Sequence, residues 1–343
     1  MLDVMEQEIR AQPAYVRSCL PALRESLRQL DIEAARVVMA GCGDSYYSAV
    51  AAAGIYRRLS IPVVAVTAQE VAQFVALQPH DLVVLASVSG STKRTVEAAA
   101  RAREAGATTL AITCRDESAL ARTCDFTLLL PYEPISRSTP HTLDYTVTLL
   151  AQALVAERLG GVRLDELDGL AEALQRAIGI AFRTLRSVLV DAPVAPQVFY
   201  LGAGTDLGTA MYGAAKLHEA GGQTAFAGES ENFWHGMNFM VRPTDLVVVF
   251  QNRFEPADVE QLLVAALERL AGAVVYVGSD GVTASHQLTL SPVSEVLSPF
   301  VMAIAPQVAC LLLTGRGPSA HVGGPRVDEF ARQLRVQAEW FER

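Results

Sequence analysis

Lysine is nearly missing from this 343-residue chain: of its twenty-eight basic residues only Lys93 and Lys216 are lysine. Arginine meets the other needs for positive charge, so a position that keeps lysine calls for a compact ammonium. Excess positive charge is absent as well. The net charge is −9 and no basic stripe runs along any segment, which argues against nucleic acid as a partner. A small phosphorylated ligand stays open, because it needs only a few local donors. The longest apolar stretch, Phe300–Thr314, is interrupted by Pro306 and Gln307 and is too short and too broken for a membrane span. The first residues, MLDVMEQEIRAQP, lack the basic-then-apolar order of a secretion signal. A cytoplasmic protein without membrane contact is therefore expected. Cys19, Cys42, Cys114, Cys124 and Cys310 are odd in number and show neither CxxC nor Cys/His metal spacing. They read as buried thiols of a reducing compartment, and neither a metal nor a cofactor is expected.

What is present occurs twice. A strand, a glycine-bracketed turn and a small-residue helix run through VVMAGCGDSYYSAVAAAGIYR at 37–57 and return as VFYLGAGTDLGTAMYGAAKLHE at 198–219. Gly41 and Gly43 fall on Gly202 and Gly204 at one constant offset of 161 residues, close to half the chain. Two sequential α/β units of similar size follow from that spacing. Short continuous apolar runs predict strands at 36–40, 62–67, 81–87, 107–113 and 125–130, then at 198–202, 245–250, 273–277 and 287–290. Runs of that kind suit parallel sheets covered on both faces.

Helices are expected near 142–160, 164–189 and 256–271, with an amphipathic helix in the tail at 326–343. Residues 5–30 read as two short helices meeting at Pro13, and SPFVMAIAPQVACLLLTG as a loop turning into a buried helix. The predicted architecture is two tandem doubly wound, flavodoxin-like, three-layer αβα domains. An N-terminal helical segment (1–30) precedes a first domain at 31–190. DAPVAPQ (191–197) reads as the linker, and a second domain with a helical tail spans 195–343.

The two halves differ where chemistry would sit. After DLVVLA come Ser87-Val88-Ser89-Gly90-Ser91-Thr92 and a helix. Gly90 permits a tight turn, the helix start offers unpaired N–H groups, and four hydroxyls crowd the same place. That set suits a phosphate without a basic residue, and Ser45, after Gly43, is positioned to close the other side. The plain alternative is that Ser91 or Thr92 only caps the helix, a task for one hydroxyl. The equivalent segment of the second half, DLVVVFQNRFEPADVE, lacks the hydroxyls and puts Glu255 at the helix start, so only the first half should bind phosphate. The second half offers acid–base groups instead: Lys216 and Glu219, three apart on one helix, and His235 sixteen residues on. By spacing alone these also read as a solvated ion pair and a structural histidine.

Together these segments resemble the SIS (sugar isomerase) domain family in its double-domain form. The resemblance covers nearly the whole chain and is strongest to the isomerase half of glucosamine-6-phosphate synthase and to fructosamine-phosphate deglycases. GCGDS at 41–45 is similar to the family's GCGTS, and Ser87–Thr92 to its SxSGxT phosphate loop. The resemblance implies that Ser45, Ser87, Ser89, Ser91 and Thr92 hold the sugar phosphate. Gly43, Ser138 and Thr139 would make further substrate contacts. KLHE at 216–219 matches KLxE, implying Glu219 as the base between C1 and C2 with Lys216 beside it. His235-Gly236 matches the HG motif, implying that His235 assists ring opening, often across the interface of a homodimer.

Several positions depart from the pattern. Val88 replaces a Gln, Pro140 a Lys and Asn232 a Glu, and no lysine follows Pro325-Arg326. No glutaminase domain precedes residue 31, so glutamine-driven amination is not expected. The function implied is a phosphosugar isomerase or related deaminase, the alternatives being a deglycase or a sugar-phosphate sensor without turnover.

Overall fold

The computed structural model describes residues 2–135, 140–190, 194–221, 223–251, 255–279, 281–291, 294–314 and 327–341. They divide into two compact units. One comprises residues 11–135 and 143–171; the other comprises the described parts of 1–10, 136–142 and 172–343.

The chain opens with α1 (Leu2–Arg28), β1 (Arg36–Gly41), α2 (Asp44–Arg58), β2 (Val63–Thr67), α3 (Ala68–Gln73) and β3 (Asp81–Ala86). It continues with α4 (Lys93–Glu104), β4 (Thr108–Thr113), α5 (Ala119–Thr123), β5 (Phe126–Leu129), α6 (Leu143–Gly160) and α7 (Leu170–Leu189). Next come β6 (Gln197–Gly202), α8 (Asp206–Gly221), β7 (Thr224–Glu229), β8 (Leu246–Phe250), α9 (Ala257–Glu268) and β9 (Ala273–Gly278). β10 (His286–Thr289), α10 (Ser298–Met302), α11 (Ile304–Leu313) and α12 (Val327–Phe341) complete it.

Each unit is built on one parallel sheet of five strands. The first has the order β2-β1-β3-β4-β5 and the second β10-β9-β8-β6-β7. Read from its own first strand, each is the same doubly wound order, with the reversal beside β1 or β6, as the duplicated sequence implied. In the first sheet Met39 pairs with Ala65 on one side and Val84 on the other; in the second Phe199 pairs with Phe226 and Val247. The central strands are buried along nearly their whole length, which is why they read as apolar runs rather than alternating ones.

Three expectations are corrected. Residues 2–28 form one helix and not two, with Pro13 and Pro21 inside it. An interior proline costs roughly 3 kcal/mol. The buried stripe Met5, Ile9, Val16, Cys19, Leu23 and Leu27 offsets this, at about 1.5–3 kcal/mol for each large apolar side chain. Next, β7 was not anticipated: TAFAGE has only one large apolar residue, yet it pairs with β6 along its length. Finally, the segment expected to begin as a loop is helical from Ser298, with Pro299 in the first turn of α10 and Pro306 early in α11, where missing N–H groups break no helical bond. The stretch Glu295–Leu313 is apolar and long enough to cross a bilayer, but 83% of it is buried within the protein.

Candidate active site

In the first unit, β3 runs directly into the hydroxyl-rich turn. Ser87 N donates to Ile112 O at 3.0 Å and Gly90 N to Ser87 O at 2.9 Å, closing a tight turn. Gly90 has φ +63°, and a Cβ there would lie 2.2 Å from Ser118 Oγ and 2.8 Å from Thr113 Oγ1. Only glycine fits, on both conformational and steric grounds. The end of β4 braces the turn from behind: Cys114 N and Thr113 Oγ1 both donate to Val88 O.

The hydroxyls form two pairs, Ser87 with Thr92 at 3.0 Å and Ser91 donating to Ser89 at 3.0 Å. Thr92 occupies the N-cap position of α4, yet its side chain makes no capping hydrogen bond. The helix start has no acidic residue in its first turn and carries Lys93 and Arg94. An anion would meet donors and a positive dipole end there. Ser45 lies in the first turn of α2, whose N-cap is Gly43 at φ +54°. The adjacent Cys42 is exposed, where a buried thiol was expected, although the other four cysteines are buried; desolvation of its thiol raises it more than the Thr95 hydroxyl and Arg94 lower it. Ser138 and Thr139 lie outside the described residues.

In the second unit, Tyr212, Lys216 and Glu219 sit at i, i+4 and i+7 and share one face of α8. The Lys216 side chain is 1% exposed and that of Glu219 33%, with Nζ and Oε2 2.5 Å apart. This is no solvated surface pair: the ammonium is inside and the carboxylate reaches out. Beneath it, Cys310 donates its thiol to Lys216 O at 3.2 Å, and burial pushes that thiol up to about 12. His235 is placed differently. It ends a 3-10 turn at Asn232–His235 whose Asn232 and Glu231 N–H groups donate to the Glu229 carboxylate at the end of β7. Its ring is 71% exposed, and Nε2 lies 3.9 Å from Glu231 Oε1. The structure thus brings Lys216 and Glu219 together and gives His235 a separate neighbour.

The turn after β6 has its own occupant. Asp206 falls on Ser45 at the 161-residue offset, in the first turn of α8, and is 4% exposed. It accepts from Ser298 Oγ at 2.8 Å and Thr209 Oγ1 at 3.1 Å. α9, the counterpart of α4, carries Asp258 and Glu260 in its first turn. Both helix starts of the second unit therefore hold the protein's own carboxylates.

Three contributors were not legible in the sequence: Glu229, Tyr212 and Gln307. Glu229 sits on the unanticipated strand. Gln307 reaches Tyr212 from 95 residues away. Only the i, i+4 spacing of Tyr212 and Lys216 was a usable signal.

Two parallel sheets of one winding order, each with a glycine-bracketed turn after its first strand, define a tandem doubly wound α/β protein. The sequence matches the SIS domain over residues 32–158 and again over 194–316, and the chain belongs to that family in double-domain form. It is 28% identical over 233 residues to the glutamine–fructose-6-phosphate aminotransferase (isomerizing) of Thermococcus kodakarensis, covering 63% of this chain and 38% of that protein. The enzyme of the same name from Pseudomonas aeruginosa is 27% identical over 334 residues, covering 89% of this chain and 54% of that one. The chain thus spans about half or less of the length of these relatives. Among solved structures, glucosamine-6-phosphate deaminase from Thermotoga maritima superposes with a TM-score of 0.76 at 22% identity, covering 90% of this chain and 92% of that one. Tagatose-6-phosphate ketose/aldose isomerase from Escherichia coli gives 0.72 at 24%, with the same coverage. These likenesses establish the fold.

Proposed function

We propose that the chain is an enzyme that moves a proton between C1 and C2 of a sugar phosphate or amino-sugar phosphate. The observation that carries this reading is the lopsided pair on α8: a carboxylate one-third exposed, held by an ammonium that is not. A proton transfer at carbon needs a positioned base. Glu219 takes the proton from C1 or C2, giving an enediol or enolamine, and returns it to the neighbouring carbon. Return of the proton completes an aldose–ketose isomerisation; with an amino sugar the returned proton gives an imine, and its hydrolysis by water, which forms the carbonyl and releases the amine, gives deamination or deglycation. Lys216 holds Glu219 and offers positive charge to the developing oxyanion. The turn at Ser87–Thr92, with Ser45, takes the phosphate, and His235 assists ring opening. Relatives named as isomerizing fructose-6-phosphate aminotransferases, and fold neighbours named for glucosamine-6-phosphate deamination and tagatose-6-phosphate ketose/aldose isomerisation, support that substrate class. The working form is a homodimer in which His235 approaches the partner subunit's phosphate turn. A fully active monomer in light scattering at micromolar concentration removes that part of the proposal.

The rival is a sensor that binds the phosphate without turnover, favoured by Val88 and Pro140 where the family pattern has Gln and Lys. A panel of hexose, hexosamine and glycated-amine phosphates in deuterated solvent separates the two. The enzyme reading expects exchange of the C1 or C2 hydrogen with at least one member, lost in Glu219→Gln. Tight binding with no exchange across the panel supports the sensor. Exchange that persists in Glu219→Gln refutes the assigned base.

A further inference from the structure

The Lys216 ammonium has more than one kind of neighbour. At 1% exposure it has given up nearly all its water, and the Glu219 carboxylate beside it is partly in solvent. An aromatic face lies against the same ammonium: Lys216 Nζ lies 5.4 Å from the centroid of the Tyr212 ring, one helical turn back on α8. At that distance the ring quadrupole attracts the cation without neutralising it or taking its proton.

The ring is itself pinned. Tyr212 is fully buried, its hydroxyl donates to His141 O at 3.3 Å, and it accepts from Gln307 Nε2 at 3.2 Å. Both partners are fixed in turn. Residues 141–142 are held by the buried carboxylate of Glu8, which accepts from Thr142 N at 2.7 Å and Thr142 Oγ1 at 3.2 Å. α11 approaches α8 closely because residue 213 is glycine; a Cβ there would lie 2.8 Å from Pro306 Cβ, next to Gln307.

We infer that Tyr212 is a positioning residue whose ring seats the Lys216 ammonium against Glu219, and that His141 and Gln307 fix the plane of that ring. The catalytic consequence rests on the proton-transfer reading above; the seating of Lys216 does not. The scarcity of lysine supplies a direct probe, since Lys93 is the only other side-chain amine in the chain and is exposed. Brief acylation followed by peptide mass spectrometry reads Lys216 labelling with Lys93 as the internal reference. Tyr212→Leu removes the aromatic face, and Tyr212→Phe keeps it while losing the hydroxyl.

The expected result is a rise of about fivefold or more in relative Lys216 labelling for Tyr212→Leu, and less than twofold for Tyr212→Phe. Turnover should follow. Tyr212→Leu should lower kcat about tenfold with KM within about twofold, and Tyr212→Phe should recover most of it. Equal labelling of both variants and wild type overturns the inference, as does equal loss in Leu and Phe, which reports the hydroxyl or packing alone. Labelling is read well below the melting temperature of each variant, so that general unfolding, which would expose Lys216 but change the already exposed Lys93 little, does not contribute to the rise. If Lys216 is unseated as expected while Glu219→Gln retains solvent exchange, the positioning stands and the proposed base falls.

Discussion

The two members of the Lys216–Glu219 pair should not be equally costly to remove. Glu219→Gln leaves a buried ammonium facing a neutral amide. Stranding a buried charge costs up to about 3–5 kcal/mol, while weakening a hydrogen bond to a charged group costs about 1.5–3 kcal/mol. The amide oxygen still accepts and the Tyr212 ring remains, so the loss should lie near the smaller range, about 2 kcal/mol. Lys216→Met removes the buried charge itself and keeps a stem of similar length. It leaves a carboxylate whose side chain is already 33% exposed, so water can take over its solvation. The relieved desolvation of the ammonium offsets much of the lost attraction, and the cost should be about 0–1 kcal/mol. Urea denaturation of wild type and both variants at pH 7, with slopes compared, gives the difference directly. Turnover should fall about 10²–10⁴-fold in Glu219→Gln, the usual consequence of removing a proton-transfer group. If Lys216→Met destabilises the protein as much as Glu219→Gln, the account of which charge is stranded is wrong.

Thr92→Val should weaken sugar-phosphate binding about tenfold, the equivalent of one hydrogen bond to a charged group, and should cost the fold about 1 kcal/mol, since the hydroxyl caps nothing but pairs with the buried Ser87 hydroxyl; calorimetry with a sugar phosphate checks the first and urea denaturation the second. Gly213→Ala should cost about 1–3 kcal/mol by forcing α8 from Pro306 and Tyr200, read as a lower urea midpoint. At the start of the first sheet, burial alone would raise the Asp81 carboxyl, but the Arg36 guanidinium and the Gln78 N–H outweigh it and hold it below its usual value. A depressed carboxylate contributes stability above its unfolded pKa and loses it as pH falls through the folded one. The advantage of wild type over Arg36→Met in thermal melts should therefore be full at pH 6 and shrink below about pH 4, near the unfolded carboxylate value. An advantage that grows on acidification contradicts that sign.

The fold was legible because burial on both faces leaves an unmistakable trace: DLVVLA and LVVVF have no other reading between glycine-rich turns. β7 was hidden because sheet pairing, not side-chain composition, makes TAFAGE a strand. α1 hides its continuity for the opposite reason. Pro13 and Pro21 are strong local signals, and the stripe that overrides them acts only through tertiary packing. The hydroxyl turn and the Lys216–Glu219 spacing are local patterns and could be read off the chain. The support behind them could not, since Gln307, His141 and Glu8 come to α8 from distant positions, and no local rule links a glutamine at 307 to a tyrosine at 212.

Asp206 gives the duplication an uneven outcome. Where the first unit has Ser45 at the start of its helix, the second has a carboxylate already satisfied by Ser298 and Thr209. A ligand anion arriving there would have to displace a tethered one whose effective concentration no free metabolite approaches. Titration of one chain with a sugar phosphate should accordingly resolve a single class of site and a hyperbolic isotherm, despite two copies of the fold. Any sigmoidal saturation would have to originate in communication between chains rather than between the repeats of one.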